Sequence, residues 1–567
     1  MRKFGKIGKS VLAMTLALSM SFLPASHVYA ANTGNAIAKG IDVSKHNGAV
    51  NWGSVASSGI SFAFIKAGST KSGMDPYFDA NMRGAQSAGL KVGAYIYSYA
   101  TTVEQAQTEA NMMIEWLDNY TVTLPVVFDI EDSCHKGLSQ AQIQALVDTF
   151  CSTVSAAGYY PMVYSSKNWF NQRIGNVGYD KWVAQYADNL EYNGASFWQS
   201  SSHGNIAGVS TRVDINYQFK DFSGLIISDG FLDRNGQTLF FSGYKMQRGW
   251  VNFNDTKYYL DENGFLQRNC WFSDASGTYY LTADGSIARG QVGIEGQNYY
   301  FDGNGVRQTG WVNLENGRFY YAPDTGVMQH GWFSDASGTY YLTESGDVAR
   351  GQVALDGQNY YFDGNGVRQT GWVNLENGRF YYAPETGAMQ HGWFSDASGT
   401  YYLTESGDVT RGRAVIDGQE YNFDGNGVRI VGWADFENGR FYYAPDTGIM
   451  QHGWFADESG KYYFSTTDGH MLVSDVEIEG KKYYFADNGV MQTGVVSKAD
   501  GKQYFYDETG ALVVNQQITI EGVLYQADAQ GAITPVPVAT EAAPETASAE
   551  AAPTEAGQAP AAVQPAP

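Results

Sequence analysis

Two carboxylates stand two residues apart at the end of a strongly apolar segment. Asp129 and Glu131 follow Leu124-Pro125-Val126-Val127, a run that is typical of a buried strand. Because side chains alternate across a strand, both carboxylates share one face, with their α-carbons roughly 6.5 Å apart. Like charges at that distance resist joint ionisation, so one carboxyl is pushed towards its protonated form while the other stays anionic. A proton donor beside a carboxylate is the arrangement that cleavage of a glycosidic bond requires, whereas an isolated Asp-x-Glu pair is more often a solvated strand end.

Apolar strand patterns and helical patterns alternate between residues 38 and 222. The predicted strands are Gly40–Ser44, Ile60–Lys66, Lys91–Tyr99, Leu124–Glu131, Tyr160–Ser166, Lys181–Tyr186, Ala195–Ser200 and Val213–Phe219. The predicted helices are Asp75–Ala88, Val103–Asn119 and Ser139–Ala157. This order predicts the α/β class, with an incomplete parallel (β/α) barrel whose helices lie mainly on its first half.

Four acidic residues fall near the carboxyl ends of predicted strands, where parallel barrels place their working residues. Asp42 is near the end of the first strand, Asp129 and Glu131 end the fourth, and Asp214 lies on the last. Since the last strand of a closed barrel neighbours the first, we expect these four side chains to meet at one mouth.

Four aromatic residues occupy strand positions that could line the same cleft: Tyr95, Tyr97, Tyr164 and Trp198. Aromatic walls suit sugar rings, whose C–H faces are apolar while their hydroxyl groups need polar partners. Packing in the core is the alternative for each of them.

The region from about residue 229 to 533 is a repeat array rich in aromatic residues, Gly, Asp and Asn. Two series of tryptophans each recur every 61 residues, and the second trails the first by 21. The first series is Trp250, Trp311, Trp372 and Trp433, and the second series is Trp271, Trp332, Trp393 and Trp454. With a Tyr-Tyr-type pair about every 20 residues, each unit is predicted to be one β-hairpin. Hairpins this small cannot bury their own aromatic face, so we expect them to stack into an all-β solenoid.

The chain ends have compositions of their own. Residues 1–30 combine a basic start, an apolar stretch and Val28-Tyr29-Ala30, which predicts a secretory signal peptide and an extracellular protein. Residues 534–567 are rich in Ala, Pro, Glu and Thr, which predicts a disordered tail. The apolar stretch at the start falls short of the roughly 20 residues needed to span a membrane, and no later segment reaches that length.

The composition excludes several function classes. Lys and Arg number 36 against 59 Asp and Glu, and the net charge of −23 argues against a nucleic-acid partner. No zinc, iron–sulfur or nucleotide motif is present, so neither a metal site nor a cofactor is predicted. The three cysteines, Cys134, Cys151 and Cys270, are too few for a disulfide framework. A Cys134–Cys151 bridge stays open, although Cys151 falls on an apolar helix stripe and is predicted to be buried.

Residues 38–220 resemble the glycoside hydrolase family 25 lysozymes, muramidases of the Chalaropsis type. The resemblance is carried by Gly40-Ile41-Asp42-Val43-Ser44, Phe64-Ile65-Lys66-Ala67, Gly93-Ala94-Tyr95, Phe128-Asp129-Ile130-Glu131 and Val213-Asp214-Ile215-Asn216. The chain departs from the family at Gly68-Ser69-Thr70 and at Ile96. The resemblance implies hydrolysis of the β-1,4 bond between N-acetylmuramic acid and N-acetylglucosamine in peptidoglycan, with Glu131 as general acid.

The resemblance leaves the role of Asp129 open between direct activation of water and orientation of the substrate's own acetamido group. Carboxylates two residues apart on one strand favour the second role, because both lie beneath one sugar. Asp42 and Asp214 would then hold the sugar and tune the pair.

The repeats resemble the choline-binding or cell-wall-binding repeats of Gram-positive surface proteins, and also those of glucan-binding proteins. An open cage of Trp and Tyr attracts a quaternary ammonium through cation–π contact, and several weak sites on one wall give avidity. In every third unit Val292, Val353 and Ala414 are expected in the place of Trp, which should remove an aromatic wall. Aromatic residues that only form the solenoid core are the alternative, and the periodic His330, His391 and His452 are interpreted as structural.

Two functions from different classes therefore remain. The favoured one is a secreted muramidase that acts on peptidoglycan and is held at the cell wall by repeats that bind choline-bearing teichoic acid or a glycan. The other is a non-catalytic adhesin or glycan-binding protein on an inactive barrel.

Overall fold

The computed structural model describes residues 35–537. The expected signal peptide and nearly all of the expected tail lie outside these residues. The described chain forms two compact units that divide between Gln329 and His330, within the repeats rather than at residue 229, where the sequence changes texture. Within residues 35–537, no helix has both the length and the apolar character needed to cross a membrane.

The first unit begins with a closed eight-stranded barrel. Its strands, with one short addition, are β1 Ala38–Val43, β2 Phe62–Ser69, β3 Gly73–Met74, β4 Lys91–Tyr97, β5 Val126–Asp129, β6 Pro161–Ser166, β7 Asp180–Ala184, β8 Phe197–Gly204 and β9 Val213–Gln218. Around the barrel the order is β1-β9-β8-β7-β6-β5-β4-β2, and pairing of β1 with β2 closes the ring. The predicted barrel is confirmed, and each of the eight predicted strands overlaps one of these.

One strand departs from the expected parallel arrangement. β9 runs antiparallel to both of its neighbours, β8 and β1. The connection between β8 and β9 spans only residues 205–212, and a parallel crossover needs about a dozen residues or more. The chain therefore turns back, and the barrel closes without a helix at this point.

Helices cover mainly the first half of the barrel, as expected. They are α1 Trp52–Ser57, α2 Phe78–Ser87, α3 Val103–Leu117, α4 Gln140–Ala156 and α5 Lys167–Trp169, which continues as a π-helix over Phe170–Ile174, with 3₁₀ turns at Lys45–Asn47 and Ser133–Gly137. The three long helices match the predicted ones, whereas α1 and the 167–174 segment are too short to show a helical period and were not predicted. Cys151 is fully buried on α4, and all three cysteines are free thiols.

The barrel interior is filled by aromatic side chains below its mouth. Phe64 on β2 stacks on Trp182 of β7 with ring centroids 4.5 Å apart, and Phe197 of β8 packs edge-on against Phe64 at 4.9 Å. All three side chains are almost completely buried. We call these three rings the aromatic floor. The strand ends that follow it towards the mouth are the carboxyl ends of β1, β4, β5 and β6.

The rest of the first unit consists of antiparallel hairpins. Their strands are Gly230–Arg234, Gln237–Ser242, Lys245–Met246, Gly249–Phe253, Thr256–Leu260, Cys270–Asp274, Gly277–Leu281, Gly290–Ile294, Gln297–Phe301, Gly310–Leu314 and Gly317–Tyr321.

The second unit continues with hairpins of the same kind. Its strands are Gly331–Asp335, Gly338–Leu342, Gly351–Leu355, Gln358–Phe362, Gly371–Leu375, Gly378–Tyr382, Gly392–Asp396, Gly399–Leu403, Gly412–Ile416, Gln419–Phe423, Gly432–Phe436, Gly439–Tyr443, Gly453–Asp457, Gly460–Phe464, Ser474–Ile478, Lys481–Phe485, Gly494–Ser497, Gln503–Tyr506, Gln517–Ile520, Val523–Ala527 and Ile533–Pro535. The last strand pairs with Val523–Ala527, so hairpin structure extends slightly past residue 534, where the tail was expected to begin.

Each hairpin is completed by its neighbours, as the repeat pattern predicts. The buried Tyr401, Leu403 and Val409 pack against Trp372 and Tyr381 of the preceding hairpin. Backbone hydrogen bonds follow the same route, for example from the Val409 N–H to the Arg379 carbonyl at 2.9 Å. The all-β repeat architecture is therefore confirmed, with stability shared between successive hairpins.

Candidate functional site

A cavity of about 460 Å³ opens at the carboxyl end of the barrel strands. The acidic side chains of Asp42, Asp129, Glu131 and Asp214 all line it. Asp42 and Asp214 are directly paired across β1 and β9, because the barrel closes between these strands. The structure thus brings the four predicted acids together.

Extended backbone beyond β5 directs both members of the acid pair into the cavity. The Ile130 N–H donates to the Tyr164 carbonyl at 3.1 Å, and the Ser165 hydroxyl donates to the Ile130 carbonyl at 2.8 Å. Ile130 is fully buried in the core outside the barrel. Since side chains alternate along extended backbone, Asp129 and Glu131 on either side of it point the other way, into the barrel.

The cavity raises the pKa values of both members of this pair. Burial raises the pKa of Asp129 well above its ordinary value, and the neighbouring charge of Glu131 adds to this effect. Burial also raises the pKa of Glu131, although the positive charge of Lys66 opposes the shift. Asp129 is only 3% exposed, and its Oδ1 has no hydrogen-bond partner among the described residues. The pair therefore resists losing both protons, as its spacing predicts.

Asp42 is held by two neutral amides. Its Oδ1 accepts from Gln199 Nε2 at 2.9 Å and from Asn216 Nδ2 at 2.8 Å. The hydroxyl of Tyr164 donates to Gln199 Oε1 at 2.8 Å, and the indole N–H of Trp182 donates to Asn216 Oδ1 at 2.7 Å. Each amide is thus oriented by a donor on its oxygen, which leaves its NH₂ group for the carboxylate.

Burial and the adjacent charge of Asp214 together raise the pKa of Asp42 well above its ordinary value, even though both amide donors lower it. Burial likewise raises the pKa of Asp214. The second acid pair therefore also holds protons more tightly than free carboxyl groups do.

Three of the four predicted aromatic residues, Tyr95, Tyr97 and Tyr164, line the cavity. Trp198 does not, and its assignment to the cleft was wrong. It is fully buried, and its indole N–H donates to the Gln185 carbonyl at 2.7 Å. Its neighbour Phe197 points into the barrel, so the alternation along β8 turns Trp198 outwards.

Sequence reasoning missed several residues that complete the cavity. Lys66, Trp182, Tyr186 and Gln199 line it, and the buried Asn216 donates to Asp42. Trp182 and Gln199 could have been found from strand alternation, because each is in phase with an inward-facing neighbour. Lys66 stands over the Tyr97 ring at 4.6 Å, and the Tyr97 hydroxyl donates to Asp132 Oδ2 at 3.1 Å.

Residues 68–70, where the sequence differs from the family's usual residues, include a hydrogen-bond partner of a buried carboxylate. Glu109 of α3 is fully buried and accepts from the Ser98 hydroxyl at 2.6 Å, the Tyr99 N–H at 2.9 Å and the Thr70 hydroxyl at 3.0 Å. These bonds tie the loop after β4 to the end of β2. Glu109 therefore fixes the backbone that follows Tyr97.

The second-series tryptophans form exposed aromatic cages. Trp393 is 41% exposed, and its ring lies 5.1 Å from Tyr402 and 4.9 Å from Tyr421, both nearly edge-on. Trp271, Trp332 and Trp454 are 39–43% exposed and have two tyrosine neighbours at 4.9–5.2 Å in the same arrangement.

The first-series tryptophans are more enclosed. The Trp372 indole N–H donates to Asp396 Oδ2 at 2.9 Å, and the tyrosine opposite, Tyr381, packs on Phe394 with centroids 3.9 Å apart. Trp250 and Trp433 make the corresponding hydrogen bonds to Asp274 and Asp457 at 2.8 and 3.3 Å.

The third unit of each period does lack the tryptophan, but a different residue replaces it. Trp271 is paired with Tyr280, and in the third unit the residue paired with the corresponding Tyr300 is Gln291. By the same register, Gln352 and Arg413 take this place, and the earlier alignment to Val292, Val353 and Ala414 was wrong by one residue. Because side chains alternate, that slip exchanges the two faces of the strand.

The three periodic histidines share one contact within their own hairpins, and His452 Nε2 also lies 3.2 Å from Glu420 Oε2 of another hairpin. Nδ1 of His330, His391 and His452 lies 2.9–3.1 Å from the carbonyl oxygens of Thr343, Thr404 and Ser465. This contact agrees with the structural interpretation.

Residues 41–209 match the family described as Glycosyl hydrolases family 25. Residues 476–516 match a choline-binding repeat, and residues 249–264 and 309–328 match a cell wall binding repeat.

Each of three curated relatives matches less than half of the chain. Lysozyme M1 of Streptomyces globisporus is 34% identical over 198 residues, which cover 31% of this chain and 66% of that protein. The uncharacterized protein YegX of Escherichia coli is 31% identical over 206 residues, covering 34% of this chain and 73% of its own length. Glucosyltransferase-S of Streptococcus mutans is 29% identical over 241 residues, covering 41% of this chain but only 15% of that protein.

Proposed function

Since the chain belongs to glycosyl hydrolase family 25, we propose that it is a secreted peptidoglycan hydrolase that cleaves the β-1,4 bond between N-acetylmuramic acid and N-acetylglucosamine. The observation that carries this proposal is the meeting of two acid pairs above an aromatic floor in one cavity. A cavity of about 460 Å³ has room for a sugar ring, with Tyr95 and Tyr97 on its walls. The relative named Lysozyme M1 supports the same activity.

In the proposed reaction Glu131 is the general acid. Its proton passes to the glycosidic oxygen as the bond from that oxygen to the anomeric carbon breaks, and the N-acetylglucosamine side leaves as an alcohol. The acetamido oxygen of the muramyl residue attacks the anomeric carbon, and Asp129 accepts the acetamido N–H. Water then opens this cyclic intermediate and returns a proton to Glu131.

The test of the acid assignment is Glu131→Gln in the full chain, assayed on purified peptidoglycan. Removing a general acid typically costs 10²–10⁴-fold in rate, so release of reducing ends should fall by at least about a hundredfold. Glu104→Gln is the matched control, because Glu104 is an exposed glutamate on α3, and it should keep full activity. A Glu131→Gln protein that lyses walls at the normal rate would rule out the assignment.

Two product measurements separate this reaction from its alternatives. Borohydride reduction of the products should convert muramic acid, not glucosamine, to its alcohol, because the proposed cleavage leaves N-acetylmuramic acid at the new reducing end. NMR of the first product formed should show the β-anomer, since attack by the acetamido group and then by water inverts the centre twice. An initial α-anomer would instead indicate direct attack by water.

The repeats are proposed to hold the enzyme at the wall through choline-bearing teichoic acid. The cages of one Trp and two Tyr, together with the matches to choline-binding and cell wall binding repeats, support this ligand. Retention on a choline matrix and elution by free choline test it. Lack of retention, with binding to wall glycan instead, would redirect the proposal to a sugar ligand.

A further inference from the structure

The two tryptophan series differ in whether a cation of the chain itself already occupies the indole face. In the hairpin of each first-series tryptophan, the residue seven positions later is basic and lies over the ring. The cation-to-centroid distances are 4.1 Å for Lys257 on Trp250, 3.9 Å for Arg318 on Trp311, 3.9 Å for Arg379 on Trp372 and 4.8 Å for Arg440 on Trp433. These are direct cation–π contacts.

The second series has a short, uncharged residue at the same hairpin position in three of its four members. Thr278, Thr339 and Thr400 stand seven residues after Trp271, Trp332 and Trp393, and each hydroxyl pairs with a serine hydroxyl at 3.0 Å. In the fourth hairpin this position is Lys461, but no cation of the described residues lies over the Trp454 ring. All four indoles are about 40% exposed.

Arginines do approach three of the second-series rings, but only at the edge of the contact range. Arg429 reaches 5.8 Å from the Trp393 centroid, and its Nη1 donates to the Thr447 carbonyl at 2.6 Å. The same bond to a threonine carbonyl restrains Arg307 and Arg368, which lie at 5.8 and 5.9 Å. These guanidinium groups are held by backbone and leave the ring faces open.

A second difference concerns the volume beside the cage. Behind Trp372, Phe394 of the next hairpin packs on Tyr381 at 3.9 Å. At the corresponding place behind Trp393 stands Ala414, which packs near Tyr402 in the same cluster. The first-series cage is therefore backed by a ring on one side and covered by a cation on its open face, while the second-series cage is backed by a smaller aliphatic side chain and its indole face carries no such cation.

We infer that the second-series cages are the quaternary-ammonium sites of the repeats, and that Lys257, Arg379 and Arg440 keep the first-series cages at Trp250, Trp372 and Trp433 closed. The inference rests on the proposed choline ligand and adds which aromatic groups receive it and which residues exclude it. A covalently tethered cation competes at high effective concentration, so an external ammonium group cannot displace it at ordinary choline levels.

Reciprocal substitutions in the full chain test this division, with calorimetric titration of choline as the readout. Wild type should bind about four choline molecules. Lys257→Thr, Arg379→Thr and Arg440→Thr together remove the covering cation from three first-series cages and should raise the stoichiometry to about seven. Thr278→Arg, Thr339→Arg and Thr400→Arg together copy the first series and should lower it to about one.

Controls separate failure of the inference from failure of the proposed function. Replacing the same three threonines by serine keeps the hydroxyl groups and should leave four sites, and circular dichroism of every variant checks the fold. A wild-type protein that binds choline at seven or more sites, or variants that leave the number unchanged, would overturn the inference while the choline ligand stands. No binding of choline by wild type would refute the proposed ligand itself.

Discussion

Gly93 links the packing of the barrel floor to the acids above it. It lies on β4 and faces the interior, where a β-carbon would stand 2.5 Å from a ring carbon of Phe64 and 2.7 Å from the Pro125 carbonyl oxygen. The second contact is with backbone, so only the Phe64 ring can yield. That ring is stacked on Trp182, whose indole N–H holds Asn216.

Gly93→Ala should therefore overpack the floor at a cost of about 1–3 kcal/mol in the free energy of unfolding. For a domain of this size, a loss of about 2 kcal/mol lowers the melting temperature by about 4–8 °C. The displaced Trp182 should also weaken the hydrogen bond that orients Asn216 towards Asp42. We thus expect lower wall-lysis activity per folded molecule as well as lower stability.

The assay is the temperature at which half of the lytic activity is lost on heating the full chain, since the proposed catalytic cavity lies in the barrel. Calorimetry is run beside it. Gly178→Ala is the matched control, because a β-carbon at Gly178 has no neighbour within 4 Å, and its stability should change by less than about 0.5 kcal/mol. Equal half-inactivation temperatures for the two variants would refute the packing argument.

Two further predictions concern charge at the cavity. Lys66→Met removes the cation that lowers the pKa values of Asp129 and Glu131. The alkaline limb of the pH profile of kcat/KM should therefore move to higher pH. An unchanged limb would mean that Lys66 does not act on the pair. Asp42→Asn should stabilise the fold at neutral pH while reducing activity, because a carboxyl whose pKa folding raises costs stability above its unfolded pKa. Urea denaturation should show this gain shrinking as the pH falls towards about 4, where the unfolded carboxyl is protonated too, and a gain that persists there would contradict the assignment.

The strands of the barrel could be predicted because each is a short apolar run bounded by turn residues. The convergence of the acids followed from the closed barrel, which brings Asp214 next to Asp42. The direction of β9 could not be predicted from its strand pattern, because such a pattern is the same for parallel and antiparallel strands. Only the short connection between β8 and β9 makes β9 antiparallel. The role of Asn216 also escaped prediction, since a neutral amide has no signature until its donors and acceptors are in place.

The repeats show the same limit on a smaller scale. The repeat period and the hairpins could be predicted from the sequence. The face of the hairpin on which a side chain lies could not, because a shift of one residue in the strand register exchanges the two faces. Gln291 rather than Val292 replaces the tryptophan for this reason. Likewise, the basic residues seven positions after the first-series tryptophans are visible in the sequence, yet only the pairing of the strands brings them over the indole rings.

The protonation of Asp129 and Glu131 depends on their surroundings in the cavity and, in the proposed reaction, on the bound sugar. Burial raises the pKa values of both carboxyls, and the positive charge of Lys66 opposes both shifts. The pair therefore retains a proton more tightly than two free carboxyls do, and the proposed reaction requires that proton on Glu131. In the proposed complex a sugar that covers the cavity removes water from Glu131, which favours its protonated form, and offers an acetamido N–H to Asp129, which favours its anion. In this proposal, binding of the sugar both places the glycosidic oxygen beside Glu131 and favours protonation of Glu131.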